Sequence, residues 1–433
     1  MSSEIELDLM QNAIPYLNHE ITLEELDDVL SLTIFEDKEV KTILFLICLL
    51  TFTEKEQKHI ILTGESSIGK TYNISEVLWF FPEKTVLRFE GATPKSFIHK
   101  KNAVLIDVRN QKPIDLLLRP QKGDPKENWD TWYEVLRNSG YLLDYSNKII
   151  VFPDMPNTKL LKSLRPILSH DRKVCKYNVT EKTKSGLRTK EVLIKGFFTS
   201  VFACVSTFLD EQETTRHYLL SPSDSKTKID KSLDLISRKN SDPNFVNWYN
   251  TEPKRFNLKM RVEDIKAEGI KQIFIPEGLT ENLRLWFRSQ TRNFCPKTQR
   301  DFPRLIGLVK AWALLNYKNR NRKDDVLWCN LDDVETAKQL YEPILTCNEL
   351  GLTPEEYTVW ELIQPFCDVG LSIREIHDLY YKTKKRNCSD YRLRGMLKNF
   401  CRSGLLREEK EANKIKYYLI KHEGKQRKLE EIK

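Results

Sequence analysis

The sequence predicts an α/β protein with a parallel sheet, followed by a separate unit of helices and a β-ribbon. Short apolar runs alternate with helical patterns between residues 59 and 205; the runs are 59–62, 85–89, 103–106, 148–152 and 200–205. Continuous apolar strands separated by helices are typical of a parallel sheet that is covered on both faces. A glycine-containing loop follows the first run, and three capped helical patterns with two strand-like runs lie near the end of the chain.

Length and composition indicate a soluble protein with several domains. The 433 residues exceed one ordinary core, so about two to four domains are expected. The N-terminal sequence lacks a signal-peptide core, and the longest apolar run, 42–52, is far shorter than the roughly 20 residues that span a bilayer. We therefore expect a cytoplasmic protein with no membrane partner. None of the nine cysteines forms a CxxC pair, which favours buried thiols over a zinc site.

Positive charge is concentrated at the C-terminal end. Residues 371–433 contain 18 Lys and Arg against 9 Asp and Glu, whereas the net charge of the whole chain is +8. A basic module on a nearly neutral body predicts a polyanionic partner such as DNA. A solubilising tail is the alternative, and it accounts for 421–433 but not for the patterned stretch before it.

The loop after the first apolar run predicts a phosphate site. Its residues are Gly64, Glu65, Ser66, Ser67, Ile68, Gly69, Lys70 and Thr71. Gly64 and Gly69 allow the backbone to curl so that its N–H groups point at phosphate oxygens, and the following helix adds partial positive charge. Lys70 is expected to reach the β- and γ-phosphates of ATP, and the Thr71 hydroxyl is expected to bind Mg²⁺. The alternative is a chance glycine turn before a helix.

Hydrolysis also needs an acid at the end of a second core strand. Asp107 ends the run 103–106, and Asp154 follows the run 148–152. Both remain candidates for the Mg²⁺-binding acid. We favour Asp154, because a helical stretch at 158–169 and a basic hairpin follow it.

Residues 172–195 predict a basic β-hairpin. The segment holds eight Lys and Arg and two Glu around a Lys-Ser-Gly turn. The cations near its tip are Lys182, Lys184, Arg188 and Lys190. Such a ribbon suits a DNA phosphate backbone. The alternative is a solvated edge hairpin whose lysines prevent strand pairing with other chains.

Residues after the last predicted strand are candidates for sensing nucleotide. Ser206 and Thr207 stand at the strand end, where a hydroxyl suits a γ-phosphate. Arg216 is a candidate arginine finger for the nucleotide of a neighbouring subunit, although an ion pair with a nearby glutamate explains it equally well. Arg300, or alternatively Arg304, opens a later helix and is a second candidate phosphate sensor.

The segment 350–420 predicts a winged helix-turn-helix. Thr353, Ser372 and Ser389 each stand at the start of a helical pattern, and two strand-like runs follow residue 404. In this fold the third helix enters the DNA major groove. The basic residues of that helix are Arg392, Arg394, Lys398 and Arg402. The alternative is a winged helix that contacts proteins.

In this order the motifs resemble those of the AAA+ superfamily, most closely its helicase branch with the minichromosome-maintenance proteins and viral and plasmid replication helicases. The block 148–171 also resembles helicase-like ATPases of mobile elements. The resemblance covers roughly residues 40–420. It implies these roles: nucleotide contacts for Lys70 and Thr71, the Walker B acid for Asp154, the first and second sensors for Ser206 and Arg300, the arginine finger for Arg216, and a DNA-gripping pore hairpin for Lys182 and Lys184. One departure is that Asp154 has Pro153 and Met155 beside it instead of a second acid.

The resemblance implies a domain order and a function. The order is an N-terminal helical segment at 1–40, an ATPase core at 41–240, a helical lid at 241–345, the winged helix at 350–420 and a basic tail at 421–433. The implied function is a ring-forming DNA helicase or translocase in DNA replication, assembled as a homo-hexamer. An origin-binding initiator or helicase loader that uses ATP as an assembly switch is the alternative, and an ATP-switched transcription regulator is a third.

Overall fold

The computed structural model describes residues 16–89, 103–156, 158–183, 186–204, 216–291, 298–384, 388–411 and 414–420. The main α-helices in this part of the chain are α1 Leu23–Ser31, α2 Lys38–Leu49, α3 Lys70–Leu78, α4 Lys126–Arg137, α5 Thr158–Leu168, α6 Lys226–Ser241, α7 Pro243–Thr251, α8 Pro253–Glu268, α9 Glu277–Gln290, α10 Thr298–Leu315, α11 Leu331–Leu350, α12 Pro354–Ile363, α13 Ile373–Lys384 and α14 Asp390–Arg402. Within these residues no helix is both long and apolar enough to cross a membrane.

The strands of the same residues form four sheets. They are β1 His59–Thr63, β2 Val86–Arg88, β3 Val104–Asp107, β4 Lys112–Pro113, β5 Ser139–Asp144, β6 Ile149–Phe152, β7 Val174–Thr183, β8 Gly186–Lys195, β9 Thr199–Cys204, β10 His217–Leu220, β11 Gln272–Phe274, β12 Arg322–Lys323, β13 Val326–Trp328, β14 Leu371–Ser372, β15 Leu406–Glu411 and β16 Lys414–Leu419.

The central sheet has five parallel strands in the order β10-β1-β9-β6-β2. β1 lies between β9 and β10, with Ile60 opposite Val201 on one side and Tyr218 on the other. The carboxyl ends of all five strands therefore meet at one edge of the sheet. The predicted α/β class with a parallel sheet is confirmed.

A second sheet, in the order β4-β3-β5-β8-β7, corrects one strand assignment. The run 103–106 was expected in the parallel sheet, but β3 pairs antiparallel with β5, which the sequence analysis missed. A short apolar run carries no signal for the direction of its partner. β7 and β8 form an antiparallel hairpin across 174–195, and β8 continues the sheet by pairing parallel to β5. At Gly140 of β5 an added Cβ would lie 2.5 Å from the Glu191 carbonyl oxygen, so this strand contact requires glycine.

Two hydrophobic cores cover the central sheet. Ile60 and Leu62 point into a core that includes α1, α2, α8, α10 and α11, whereas Ile61 points into a core with α5 and the second sheet. This alternation follows from the two-residue period of a strand. Each fully buried aliphatic side chain stabilises the fold by about 1.5–3 kcal/mol relative to exposure. The rigid sheet fixes the position of the loops at its carboxyl edge.

Residues 226–251 form two helices, α6 and α7, although their sequence is polar and rich in Ser, Lys and Asp. Ser225 caps α6 by accepting a 3.1 Å hydrogen bond from the Lys228 N–H, and Asp242 with Pro243 begins α7. Serine, aspartate and proline are typical at helix starts as well as in loops.

The C-terminal unit has its own core. α12, α13 and α14 pack with the antiparallel sheet β14-β16-β15. Leu393, Leu397 and Phe400 of α14 are fully buried in it. Thr353 and Glu356 form a capping box at the start of α12, with hydrogen bonds of 3.2 and 2.9 Å.

Candidate nucleotide-binding site

The loop 64–69 joins the carboxyl end of β1 to the start of α3. Gly64, Ser67 and Gly69 have φ angles of 134°, 66° and 94°. Only glycine adopts the first and last of these readily. A Cβ on Gly64 would lie 3.2 Å from the Ser221 hydroxyl and 3.3 Å from Ile68, so the turn is also too crowded for a side chain. The loop thus has the tight curl that brings backbone N–H groups towards one anion.

Lys70 lies across this loop. Its ammonium donates to the carbonyl oxygens of Gly64 at 2.8 Å and Glu65 at 2.5 Å. The side chain is largely buried, and burial lowers the pKa of the ammonium. Thr71 is exposed in the first turn of α3, where helix N–H groups have no intrahelical acceptor. These residues fit a nucleotide phosphate with a metal ion beside it, and ATP and Mg²⁺ remain the predicted ligands.

Two buried residues that were not predicted from the sequence, Asp37 and Lys228, contact the loop and the start of α3. The Asp37 carboxylate accepts hydrogen bonds from Asn73 Nδ2 at 2.9 Å, from the Ser223 N–H at 2.5 Å and from the Lys228 ammonium. Lys228 also donates to the Ile68 carbonyl oxygen at 3.3 Å. The αL conformation of Asp37 is a feature that only the structure reveals.

Asp154 lies at the same edge of the sheet as the loop. It follows β6 by two residues and is exposed. β9 separates β6 from β1, so the two strand ends are two inter-strand spacings apart, about 10 Å. Cys204, the last residue of β9, affects the pKa of the Lys70 ammonium electrostatically, which indicates that the end of β9 lies near this lysine. This edge brings Lys70, Thr71 and Asp154 into one region.

Asp107, the other candidate acid, lies in the second sheet. Its carboxylate accepts hydrogen bonds from Arg109 Nε at 3.1 Å and Nη2 at 2.7 Å. These bonds lower the pKa of Asp107 below its ordinary value. Arg109 in turn binds Glu134 at 2.8 Å. Asp107 is therefore part of a local ion-pair network outside the central sheet.

Arg216 and Arg300 come together at the opposite, amino edge of the central sheet. Arg216 precedes β10, and Arg300 lies in the first turn of α10. Both line a cavity of about 370 Å³, together with Lys58, His59, His170 and Arg304. The side chain of Arg304, the alternative sensor, is buried and binds Asp301 at 2.8 Å. The length of β1 separates this cavity from the phosphate loop of the same chain.

Several predicted residues lie outside the part of the chain that can be described. Ser206 and Lys184 are among them, as are the side chains of Lys182 and Arg188. Lys190 of the hairpin is half-buried, with its ammonium 4.8 Å from the centre of the Tyr141 ring and 3.4 Å from the Tyr141 hydroxyl. This cation stabilises the second sheet by packing on an aromatic face.

The cationic side chains of helix α14 lie in two environments, because three are exposed to solvent and one is half-buried in ion pairs. Arg394, Lys398 and Arg402 recur at helical spacing and are exposed. Tyr391, one turn before Arg394, is 82% exposed and was not among the residues predicted from the sequence. Arg392 is half-buried and binds the carboxylates of Glu65 and Glu355. Burial lowers the pKa of Arg392.

Comparisons with known proteins give little further information. No family model matches the chain, and no curated protein matches it. One similar solved structure is described as the A form apo structure of the NrS-1 C-terminal region. The two chains are 9% identical, the similarity covers 93% of this chain and 76% of that one, and the TM-score is 0.26. A similarity this low indicates neither a shared fold nor a shared function.

Proposed function

We propose that the chain is an ATP-hydrolysing motor of the AAA+ type that acts on DNA as a helicase or translocase in replication. The observation that carries this proposal is the strand–loop–helix at 59–78, in which Lys70 lies across a glycine-curled loop at the sheet edge that also holds Asp154. This edge is where open α/β sheets bind ligands.

Each residue at the edge has a distinct role in the proposed chemistry. The loop N–H groups and Lys70 bind and orient the phosphates. The Thr71 hydroxyl and the Asp154 carboxylate hold Mg²⁺, which neutralises charge on the phosphates when bound. Asp154 also orients the attacking water. Asp107 has no part in this chemistry, because its carboxylate is bound by Arg109 in another sheet.

The two arginines at the amino edge support a multi-subunit enzyme. Arg216 and Arg300 share one cavity and are separated from their own phosphate loop by the length of the sheet. An arginine in such a position reaches a nucleotide only from a neighbouring subunit. Head-to-tail repetition of this contact closes into a ring, for which we propose a homo-hexamer.

DNA contacts are proposed at two places. The hairpin 172–195 carries its cations on a long two-stranded ribbon, which suits a strand passing through a ring. The C-terminal unit is proposed to be a winged helix in which α14 presents Tyr391, Arg394, Lys398 and Arg402 to DNA. Cations with an aromatic ring between them suit both phosphates and unstacked bases.

A second candidate is an initiator or helicase loader in which ATP switches DNA binding. The contact of Arg392 with Glu65 favours it, because a residue of the proposed DNA-reading helix binds a residue of the phosphate loop. In this case the enzyme would bind duplex DNA in an ATP-dependent manner without separating its strands.

A strand-displacement assay separates the two candidates. The wild type, Lys70→Ala and the double variant Lys182→Ala/Lys184→Ala are compared, with Lys231→Ala as a control because Lys231 is an exposed cation of α6. A helicase separates strands with ATP, and both the Lys70 and the hairpin variants lose this activity. ATP-dependent duplex binding without strand separation supports the loader instead. Retention of ATPase activity by Lys70→Ala would refute the nucleotide site in either case.

A further inference from the structure

We infer that Lys228 is a positioning residue that fixes the anion-binding face of the phosphate loop. The inference rests on the proposed nucleotide site and adds to it a residue that contacts the loop backbone and not the substrate. Lys228 lies in the first turn of α6, and its ammonium contacts the carbonyl oxygen of Ile68, whereas Lys70 contacts those of Gly64 and Glu65.

The Lys228 ammonium has three acceptors and is buried. It donates to the Asp37 carboxylate, to the Ser223 carbonyl oxygen at 3.0 Å and to the Ile68 carbonyl oxygen at 3.3 Å. A lysine ammonium has three donors, so each of them is used. A Cβ on Gly69 would lie 3.9 Å from the same ammonium, which places Lys228 next to the peptide that precedes α3.

The contact with Ile68 determines where the next N–H points. In a planar trans peptide the C=O and the N–H point in opposite directions. Because the Ile68 carbonyl oxygen points at the Lys228 ammonium, the Gly69 N–H of the same peptide points away from it. The phosphate is proposed to bind on that side, so Lys228 keeps one anion-binding donor in place.

The backbone around Asp37 supports a specific role for this arrangement. Glu36 and Asp37 are consecutive non-glycine residues with φ angles of 54° and 50°. Such left-handed residues are unfavourable and persist where surrounding contacts impose them. Glu36 accepts a 2.5 Å hydrogen bond from the Ser225 hydroxyl, and Asp37 binds Ser223 and Lys228. The corner at 36–37 thus fixes the start of α6, and with it Lys228, against the loop.

The test measures binding of Mg-ADP, which has no γ-phosphate for the enzyme to hydrolyse. The variants are Lys228→Met, Lys228→Arg, Asp37→Asn and the double variant Asp37→Asn/Lys228→Met, with Lys231→Met as the control on the same helix. We expect Lys228→Met to weaken ADP binding about tenfold or more, because a charge-assisted hydrogen bond to the loop is lost. Lys228→Arg retains a donor and should recover most of the affinity.

The double variant separates positioning from charge neutralisation. In Lys228→Met the Asp37 carboxylate is left buried without its cation, and the added Asp37→Asn change removes that penalty in the double variant. We expect the double variant to regain thermal stability while its ADP binding stays weak. Recovery of ADP binding by the double variant, or normal binding by Lys228→Met, overturns the inference and leaves the proposed function intact. A wild type that binds neither ADP nor ATP overturns both.

Discussion

The Arg392 guanidinium binds the Glu65 carboxylate, so a residue of helix α14 contacts a residue of the phosphate loop. Glu355, at the start of α12, is a second partner of the same guanidinium. Arg392 and Glu65 are far apart in the sequence and belong to the proposed DNA-binding and nucleotide-binding units. Arg392 cannot bind Glu65 and a DNA phosphate with the same donors, so a contact of Arg392 with DNA would compete with its contact to the phosphate loop.

Glu65→Gln is expected to strengthen duplex DNA binding about two- to fivefold. The change removes one of the two carboxylates that hold Arg392, which becomes available for a phosphate contact. The slope of log affinity against log salt should become steeper by about one phosphate contact. Fluorescence anisotropy with a labelled duplex over a range of salt concentrations measures both quantities.

Glu83→Gln is the matched control, since Glu83 is exposed and lies outside the loop and α14. If it raises DNA affinity as much as Glu65→Gln does, the gain comes from net charge and not from Arg392. Arg392→Gln should make the Glu65 substitution neutral for DNA binding.

Asp154→Asn is expected to abolish ATP hydrolysis and leave nucleotide binding within about threefold, because the Asp154 carboxylate is proposed to hold Mg²⁺ and orient water. Asp107→Asn is the control, and it should retain hydrolysis while slightly lowering the thermal unfolding midpoint, since Arg109 loses one of its two carboxylate partners. Phosphate release and calorimetric unfolding measure the two effects. Loss of hydrolysis only in Asp107→Asn would reverse the assignment of the acid.

Arg394→Ala and Lys398→Ala are each expected to weaken duplex binding and to reduce the salt slope by about one. Both side chains are exposed on the same face of α14 as Tyr391. Lys410→Ala, which removes a cation of β15, is the control for general charge. Equal losses in all three variants would mean that α14 has no special role in binding DNA.

Subunits with Arg216→Ala are expected to inhibit wild-type subunits in mixed assemblies. If Arg216 completes a neighbouring site, each variant subunit inactivates a nucleotide site that it does not itself contain. ATPase activity should then fall faster than the fraction of wild type, and Arg300→Ala should behave similarly because both residues line one cavity. Mixing with Lys231→Ala subunits provides the control. A linear decline would place the action of Arg216 within its own chain.

The parts of the fold that were predicted are those whose signal is local in the sequence. The central strands β1, β6 and β9 are fully buried apolar runs, and such runs indicate strands without knowledge of their partners. β10 was missed because it is short and begins with His217. The second sheet was missed because the pairing of β3 with β5 depends on contacts that a single run does not encode.

The candidate site likewise combines features that are local in the sequence with features that depend on long-range contacts. The loop 64–71 was recognised because strand, glycines, lysine and threonine are contiguous. The contact of Lys228 with Asp37 spans 191 residues, and each residue alone has an ordinary solvated-charge pattern. Arg392 has the sequence pattern of a DNA contact, and only folding reveals that Glu65 binds it. Long-range ion pairs of this kind have no periodicity from which they could be inferred.

His170 is expected to make the stability of the protein depend on pH in the acidic range. Burial, and secondarily the Lys58 charge, lowers the pKa of His170 from 6.5 to about 4, while Asp171 opposes this shift. Its ring packs against Phe197 at a centroid distance of 4.5 Å. As the pH falls below about 6.5 the unfolded chain binds a proton that the folded chain does not bind until about pH 4. Stability is therefore complete above this window and decreases through it, by about 1.4 kcal/mol per pH unit and about 3 kcal/mol in all.

His170→Gln removes this proton and should flatten the pH dependence between about pH 6 and pH 4.5. The free energy of unfolding, from urea titrations of the wild type and the variant at several pH values, measures the difference. Contributions from ionisable groups that do not interact with His170 are common to both proteins and cancel in the comparison. Parallel curves for the two proteins would show that the His170 ring is protonated at the same pH in the folded and unfolded chains, contrary to its buried position.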